Sequence, residues 1–253
     1  MKKISCCIDM MFSQTDFYDR ISAVKSCGID TIEFWKWTNK DIDRVKALLD
    51  ENKMGLSIFN IDSTDEALSY DLSRGILNSG RADEFVKALN ESIPVYKKLN
   101  ASAMIVLIGE NAEYNENNVL KCLNAAKPIV ERENVMLIIE PLNNIDRVGY
   151  SMPYAKPTFE LLRKVNSPNI KMLYDIYHQN MMGDFSIDDI RNNIDIIGHF
   201  HVADAPGRHE PGTGKVDYVK IIDEIEKLSY NGYIGLEYRA TKPDSETLGF
   251  LNL

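Results

Sequence analysis

Residues 135–140 read VMLIIE, five apolar residues in a row closed by a carboxylate. A strand without polar alternation is buried on both faces, and such strands belong to parallel sheets whose outer face is covered by helices. The same unit recurs along the chain. Strands are predicted at residues 3–8, 31–35, 56–60, 103–108, 135–140, 170–175, 196–202 and 233–237, from apolar or β-branched runs bounded by turn residues. Helical spacing of apolar residues is found over 15–27, 41–52, 81–99, 116–133, 158–165, 186–193 and 219–228, with Thr15 as the expected N-cap of the first helix.

Eight strands in βα alternation, with no Pro/Gly/Ser linker and no low-complexity tract, predict an α/β fold: a single (β/α)8 TIM barrel over residues 1–253. An open doubly wound sheet fits less well, because it usually needs fewer strands and no glycine-rich phosphate loop follows the first strand. Two connections are long, 61–80 and 141–157. The first is polar and irregular, which predicts a mobile active-site lid.

Composition narrows the setting. No segment approaches the run of about 20 apolar residues that crosses a membrane, and MKKISCCIDM enters a strand pattern without a secretory h-region. The four cysteines form no CxxC spacing, so neither a disulfide framework nor a structural zinc site is expected, and a reducing cytoplasm fits. A formal charge of -9 argues against a sequence-independent grip on nucleic acid.

All four histidines fall between His178 and His209, three of them within the segment GHFHVADAPGRHEPGTG at Gly198 to Gly214. Strand alternation puts His199 and His201 on one face and Phe200 and Val202 on the other. The last polar residues of four successive strands are Glu140, Asp175, His201 and Glu237, spaced 35, 26 and 36 residues apart. Each spacing is one βα unit, so a barrel would bring the four to its carboxyl-end mouth. Three carboxylates and an imidazole there would repel one another and lose hydration unless a cation lay between them. Three oxygens and one nitrogen suit a single Mn2+, Mg2+ or Co2+.

IEPLN at Ile139 to Asn143, YDIYHQ at Tyr174 to Gln179, the GHFHVADAPGRHEPGTG segment and IGLEY at Ile234 to Tyr238 resemble the xylose-isomerase-like barrel superfamily, and within it the hydroxypyruvate isomerase family. The resemblance covers nearly the whole length, including Glu33-Phe34 after the second strand and the short C-terminal tail. It implies that Glu140, Asp175, His201 and Glu237 hold the metal, and that Glu140 and Glu237 are the acid/base pair on opposite sides of the substrate. It also implies that His178, Arg208 and Asp146 contact substrate. Two features depart from the family. Hydroxypyruvate isomerases commonly carry Gln at the position of His201, whereas ketose 3-epimerases and inosose-type enzymes carry His; and the segment Glu33-Phe34-Trp35-Lys36-Trp37 is unusual.

The resemblance therefore implies an isomerase acting on a small α-hydroxy carbonyl compound through an enediolate, with hydroxypyruvate and tartronate semialdehyde as the first pair. A ketose 3-epimerase or inosose-type isomerase would use the same side chains. An endonuclease-IV-like DNA repair enzyme would need many more histidines and a basic face, and a non-catalytic sugar-binding barrel would need no acid/base pair. The partners expected are a small sugar or keto acid, with no nucleic acid and no membrane; a homo-oligomer is compatible with the sequence. Trp35 and Trp37 are candidates for an apolar wall over the substrate, or for packing against the 61–80 connection.

Overall fold

The computed structural model describes residues 3–251, so the last residues of the C-terminal tail lie outside the described residues. Nine parallel strand segments form one sheet: β1 (Lys3–Cys7), β2 (Thr31–Glu33), β3 (Gly55–Leu56), β4 (Ile58–Asn60), β5 (Ala103–Val106), β6 (Leu137–Ile139), β7 (Ile170–Asp175), β8 (Ile197–Val202) and β9 (Tyr233–Leu236). Their order is β3-β2-β1-β9-β8-β7-β6-β5-β4. The two ends of that order are consecutive pieces of chain flanking Ser57. Ser57 N donates to Ile32 O (2.9 Å) on one side, and Ser57 O accepts from Ser102 N (2.8 Å) and Ala103 N (3.1 Å) on the other. The strand expected at 56–60 therefore has neighbours on both edges: it stays bonded to the 30–35 segment as far as Asn60 N, which donates to Trp35 O (2.8 Å), and it pairs with β5 on the other side, so the sheet closes there into the predicted barrel.

Most helix ends fall where the sequence marks them. Asp41, Asn115, Ser186 and Asp217 each accept a backbone N–H from the first turn of the helix that follows, which satisfies a donor that the helix leaves open. Asn100, Asn134 and Asn166 end helices in the left-handed conformation, which asparagine adopts more readily than most residues. The helix Ala82–Leu99 turns Phe85, Ala88, Leu89, Ser92, Ile93, Val95 and Leu99 to the core. Burial of each large apolar side chain there is worth roughly 1.5–3 kcal/mol.

Three local expectations are corrected. The first helix begins at Asp19 rather than Thr15, because the Thr15 hydroxyl donates back to Phe12 O (3.1 Å) within a run of turns. The 61–80 connection is not irregular. It contains the helices Glu66–Leu72 and Ile76–Ser79, the first capped by Asp65 and anchored by buried Leu68 and Leu72. The helix Ile176–Met181, directly after β7, had no counterpart in the sequence reading.

Candidate active site

The carboxyl ends of β6 to β9 carry the four groups expected there. Glu140 and Glu237 follow the last residues of β6 and β9, Asp175 ends β7, and His201 is the penultimate residue of β8. All four are buried, each offers one ligand atom, and those atoms lie within 4.8 Å of one another. Around His201, Nδ1 lies 3.2 Å from Glu237 Oε2, 3.7 Å from Glu140 Oε1 and 4.0 Å from Asp175 Oδ2. None of these contacts has hydrogen-bond alignment, and His201 Nδ1 is buried without a hydrogen-bond partner. A buried imidazole nitrogen facing three carboxylates is the donor set that a divalent cation satisfies.

A fifth buried group orients the imidazole. Glu33, the last residue of β2, places Oε2 3.1 Å from His201 Nε2 and 3.3 Å from His199 Nε2, and its Oε1 accepts from Ser5 Oγ (3.0 Å). An ionised carboxylate can only accept, so the His201 proton lies on Nε2 and Nδ1 is turned toward the carboxylate cluster. Gly235 makes the room. A Cβ there would stand 2.2 Å from Glu33 Oε1 and 2.7 Å from His199 Nε2. Burial favours the protonated form of Glu33, but the two histidines outweigh it and lower its pKa to about 2.

The remaining carboxylates differ in their surroundings. Asp175 Oδ1 accepts from Tyr177 N (2.7 Å) and His178 N (3.2 Å) as the cap of the next helix, while Oδ2 faces the cluster. Burial raises its pKa to about 7 against the pull of His201 and Arg208. Burial likewise raises Glu140, opposed by His201. Glu237 is also desolvated, yet Arg208 and His201 hold it well below the usual carboxylate range. It accepts from the Trp35 indole N–H at Oε1 (2.8 Å) and from Arg208 Nη2 at Oε2.

The cluster opens into a cavity of about 780 Å3 lined by, among others, Glu140, Asp146, His178, Arg208 and Glu237. His178, Arg208 and Asp146 therefore share one cavity with Glu140 and Glu237. His178 Nδ1 accepts from Asn143 N (3.1 Å), so its proton sits on Nε2, a buried atom with no hydrogen-bond partner; burial keeps the ring neutral. Asp146 Oδ2 accepts from Tyr177 OH (2.6 Å) and Asn143 Nδ2 (3.0 Å). Of the two tryptophans, Trp35 lines the cavity, while Trp37 is buried behind it and donates to Ser92 Oγ (3.1 Å). His209 and Glu210 bond Arg239 O and Thr241 and so tie their loop to the segment after β9. Glu33 was not foreseen as a site residue, and Trp35 was expected only as a candidate apolar wall and not as a donor to Glu237; the signal for both was their place at the mouth end of the second strand.

The model of the family described as "Xylose isomerase-like TIM barrel" matches residues 21–251. The chain belongs to that family. It is 30% identical to hydroxypyruvate isomerase of Escherichia coli (strain K12), covering 98% of this chain and 96% of the relative. It is 27% identical to 2-oxo-tetronate isomerase of Cupriavidus necator, covering 99% and 98%. A crystal structure described as AP endonuclease, family 2, from Brucella melitensis superposes with a TM-score of 0.92 at 22% identity, covering 100% of this chain and 98% of that one. At that identity the likeness establishes the shared barrel fold alone.

Proposed function

We propose that the protein is a divalent-metal-dependent isomerase that moves a proton between neighbouring carbons of a small α-hydroxy carbonyl compound. The observation that carries this reading is the buried convergence of Glu140, Asp175, His201 and Glu237 around a nitrogen with no protein partner. These four would hold Mn2+, Mg2+ or Co2+. Such a cation supplies Lewis-acid polarisation of the substrate's carbonyl and hydroxyl oxygens.

The chain's own residues do the rest. Glu140 and Glu237 form the acid/base pair: one, as carboxylate, removes the proton from the carbon that bears the hydroxyl, and the other, as carboxylic acid, gives a proton to the neighbouring carbon, while the hydroxyl proton passes to the former carbonyl oxygen; solvent exchange resets the pair. His178 donates its Nε2–H to a substrate oxygen, and Asp146, fixed by Tyr177 and Asn143, accepts from a substrate hydroxyl. Arg208 pairs with a substrate carboxylate. Hydroxypyruvate to tartronate semialdehyde is the smallest reaction that uses all of these groups, in keeping with the named activities of the relatives. Return of the proton to the opposite face of the same carbon would make the same site a ketose epimerase, and the presence of His201 favours that second reading. Four unpaired thiols and the absence, among the described residues, of a helix long and apolar enough to span a membrane are compatible with a cytoplasmic setting.

The test is proton exchange. Mn2+-loaded protein with hydroxypyruvate in D2O should place deuterium at the reacting carbon, read by NMR. Glu140→Gln and Glu237→Gln should each slow that exchange by at least about 10²-fold, because an amide cannot serve as a base. Exchange at a near wild-type rate in Glu237→Gln, with metal still bound, would overturn the assignment.

A further inference from the structure

The cavity is lined by five cations, in a chain whose formal charge is -9. Lys36, Lys40, Arg147, Arg208 and Arg239 all line it. Three of these cations already have carboxylate partners: Arg208 with Glu237, Lys40 with Asp9 and Arg147 with Glu110. Lys36 has none. Among the described residues the one polar partner recorded for its ammonium is Ser69 Oγ (3.0 Å), a neutral hydroxyl, and an ammonium carries three donors. Arg147 Nη2 reaches Ser73 O (3.1 Å), four positions after Ser69, so the two cations meet consecutive turns of one segment. Asn60 lines the same cavity, and its Oδ1 is buried without a hydrogen-bond partner.

The size of the cavity points the same way. A three-carbon keto acid occupies on the order of 100 Å3, a few times a water's share of liquid volume. The cavity measures about 780 Å3, and ligands normally bury most of their surface in the site they fill. A substrate that ended at Arg208 would leave Asn60 Oδ1 unpaired and the Lys36 ammonium with Ser69 alone.

We propose that Lys36, with Arg147 beside it, forms a distal anion subsite. The substrate is then an α-hydroxy carbonyl compound of four or more carbons that carries a phosphate or carboxylate at the end remote from the carboxylate cluster. Asn60 Oδ1 accepts from a hydroxyl between the two ends. This rests on the isomerase reading only for which end reacts. The subsite also accounts for the Trp35-Lys36 step in the sequence, where consecutive residues face one cavity: the indole bonds Glu237 at the reacting end, and the lysine reaches the helix Glu66–Leu72 at the other.

Unreactive ligands test the subsite without any turnover. Calorimetric titration of Mn2+-loaded protein with erythritol 4-phosphate, erythronate and uncharged erythritol should show at least one charged ligand binding about 10-fold more tightly than erythritol. That preference should collapse in Lys36→Met, which keeps the aliphatic stem, and persist in Lys36→Arg. The ligand whose gain depends on Lys36 identifies the anion as phosphate or carboxylate. Equal binding of charged and uncharged ligands, or a preference that survives Lys36→Met, would overturn the subsite. Failure of hydroxypyruvate to exchange deuterium would instead count against the isomerase reading and leave this result standing.

Discussion

Glu33→Gln removes a buried charge and almost nothing else. The amide can turn its oxygen to His201 Nε2 and its NH2 to Ser5 Oγ, so the contacts at 3.1 and 3.0 Å survive as neutral hydrogen bonds. Charge-assisted bonds are about twice as strong as neutral ones, and loss of a partner behind a metal ligand typically weakens metal binding about 10- to 100-fold. The expected result is Mn2+ affinity about 10-fold lower in Glu33→Gln, equivalent to about 1.4 kcal/mol. Glu33→Ala should fall near the upper end of that range. It should also lose about 2–3 kcal/mol of stability, because buried imidazole N–H groups are left without an acceptor. Acid denaturation of the metal-free protein provides a second reading. The Glu33 pKa is lowered from 4.5 to about 2, so its contribution is fully present above pH 4.5 and fades as the pH falls toward 2. The stability gap between wild type and Glu33→Gln should close over that interval. Calorimetric titration with Mn2+ that gave equal affinities for wild type and a folded Glu33→Gln would refute the orienting role.

Two further outcomes are expected. Chelation should abolish activity and lower the thermal midpoint, since a cation bound only by the folded chain at 100 times its Kd adds about 2.7 kcal/mol of stability; an unchanged midpoint in a scanning calorimeter would argue against a bound metal. Trp35→Phe should keep the ring but lose the 2.8 Å bond to Glu237 Oε1, costing on the order of 10-fold in kcat with little change in thermal midpoint. An unchanged kcat would show that the indole only packs.

The barrel was legible because its evidence is local. Continuous apolar strands and capping residues such as Asp41 and Ser186 can be read within a few positions, and the strand-end parity that placed Glu140, Asp175, His201 and Glu237 follows from the same patterns. What was not legible depends on long-range pairing or on very short elements. Glu33 meets His201 across 168 positions, and nothing near it in sequence reveals that partner. The two-sided pairing of Ser57, with Ile32 and with Ser102 and Ala103, leaves no trace in hydropathy. The helices Glu66–Leu72 and Ile76–Ser79 span seven and four residues, too short to show helical periodicity, so the segment read as irregular.

The two-sided pairing at Ser57 leaves the barrel without an edge. Ser57 bonds Ile32 on one side and Ser102 and Ala103 on the other, and Asn60 N still reaches Trp35 O (2.8 Å) at the mouth. A sheet left open there would offer a row of unpaired main-chain groups to a second chain. Closed, it joins the strand that precedes Lys36 and the strands that carry the carboxylate cluster into one continuous hydrogen-bonded ring.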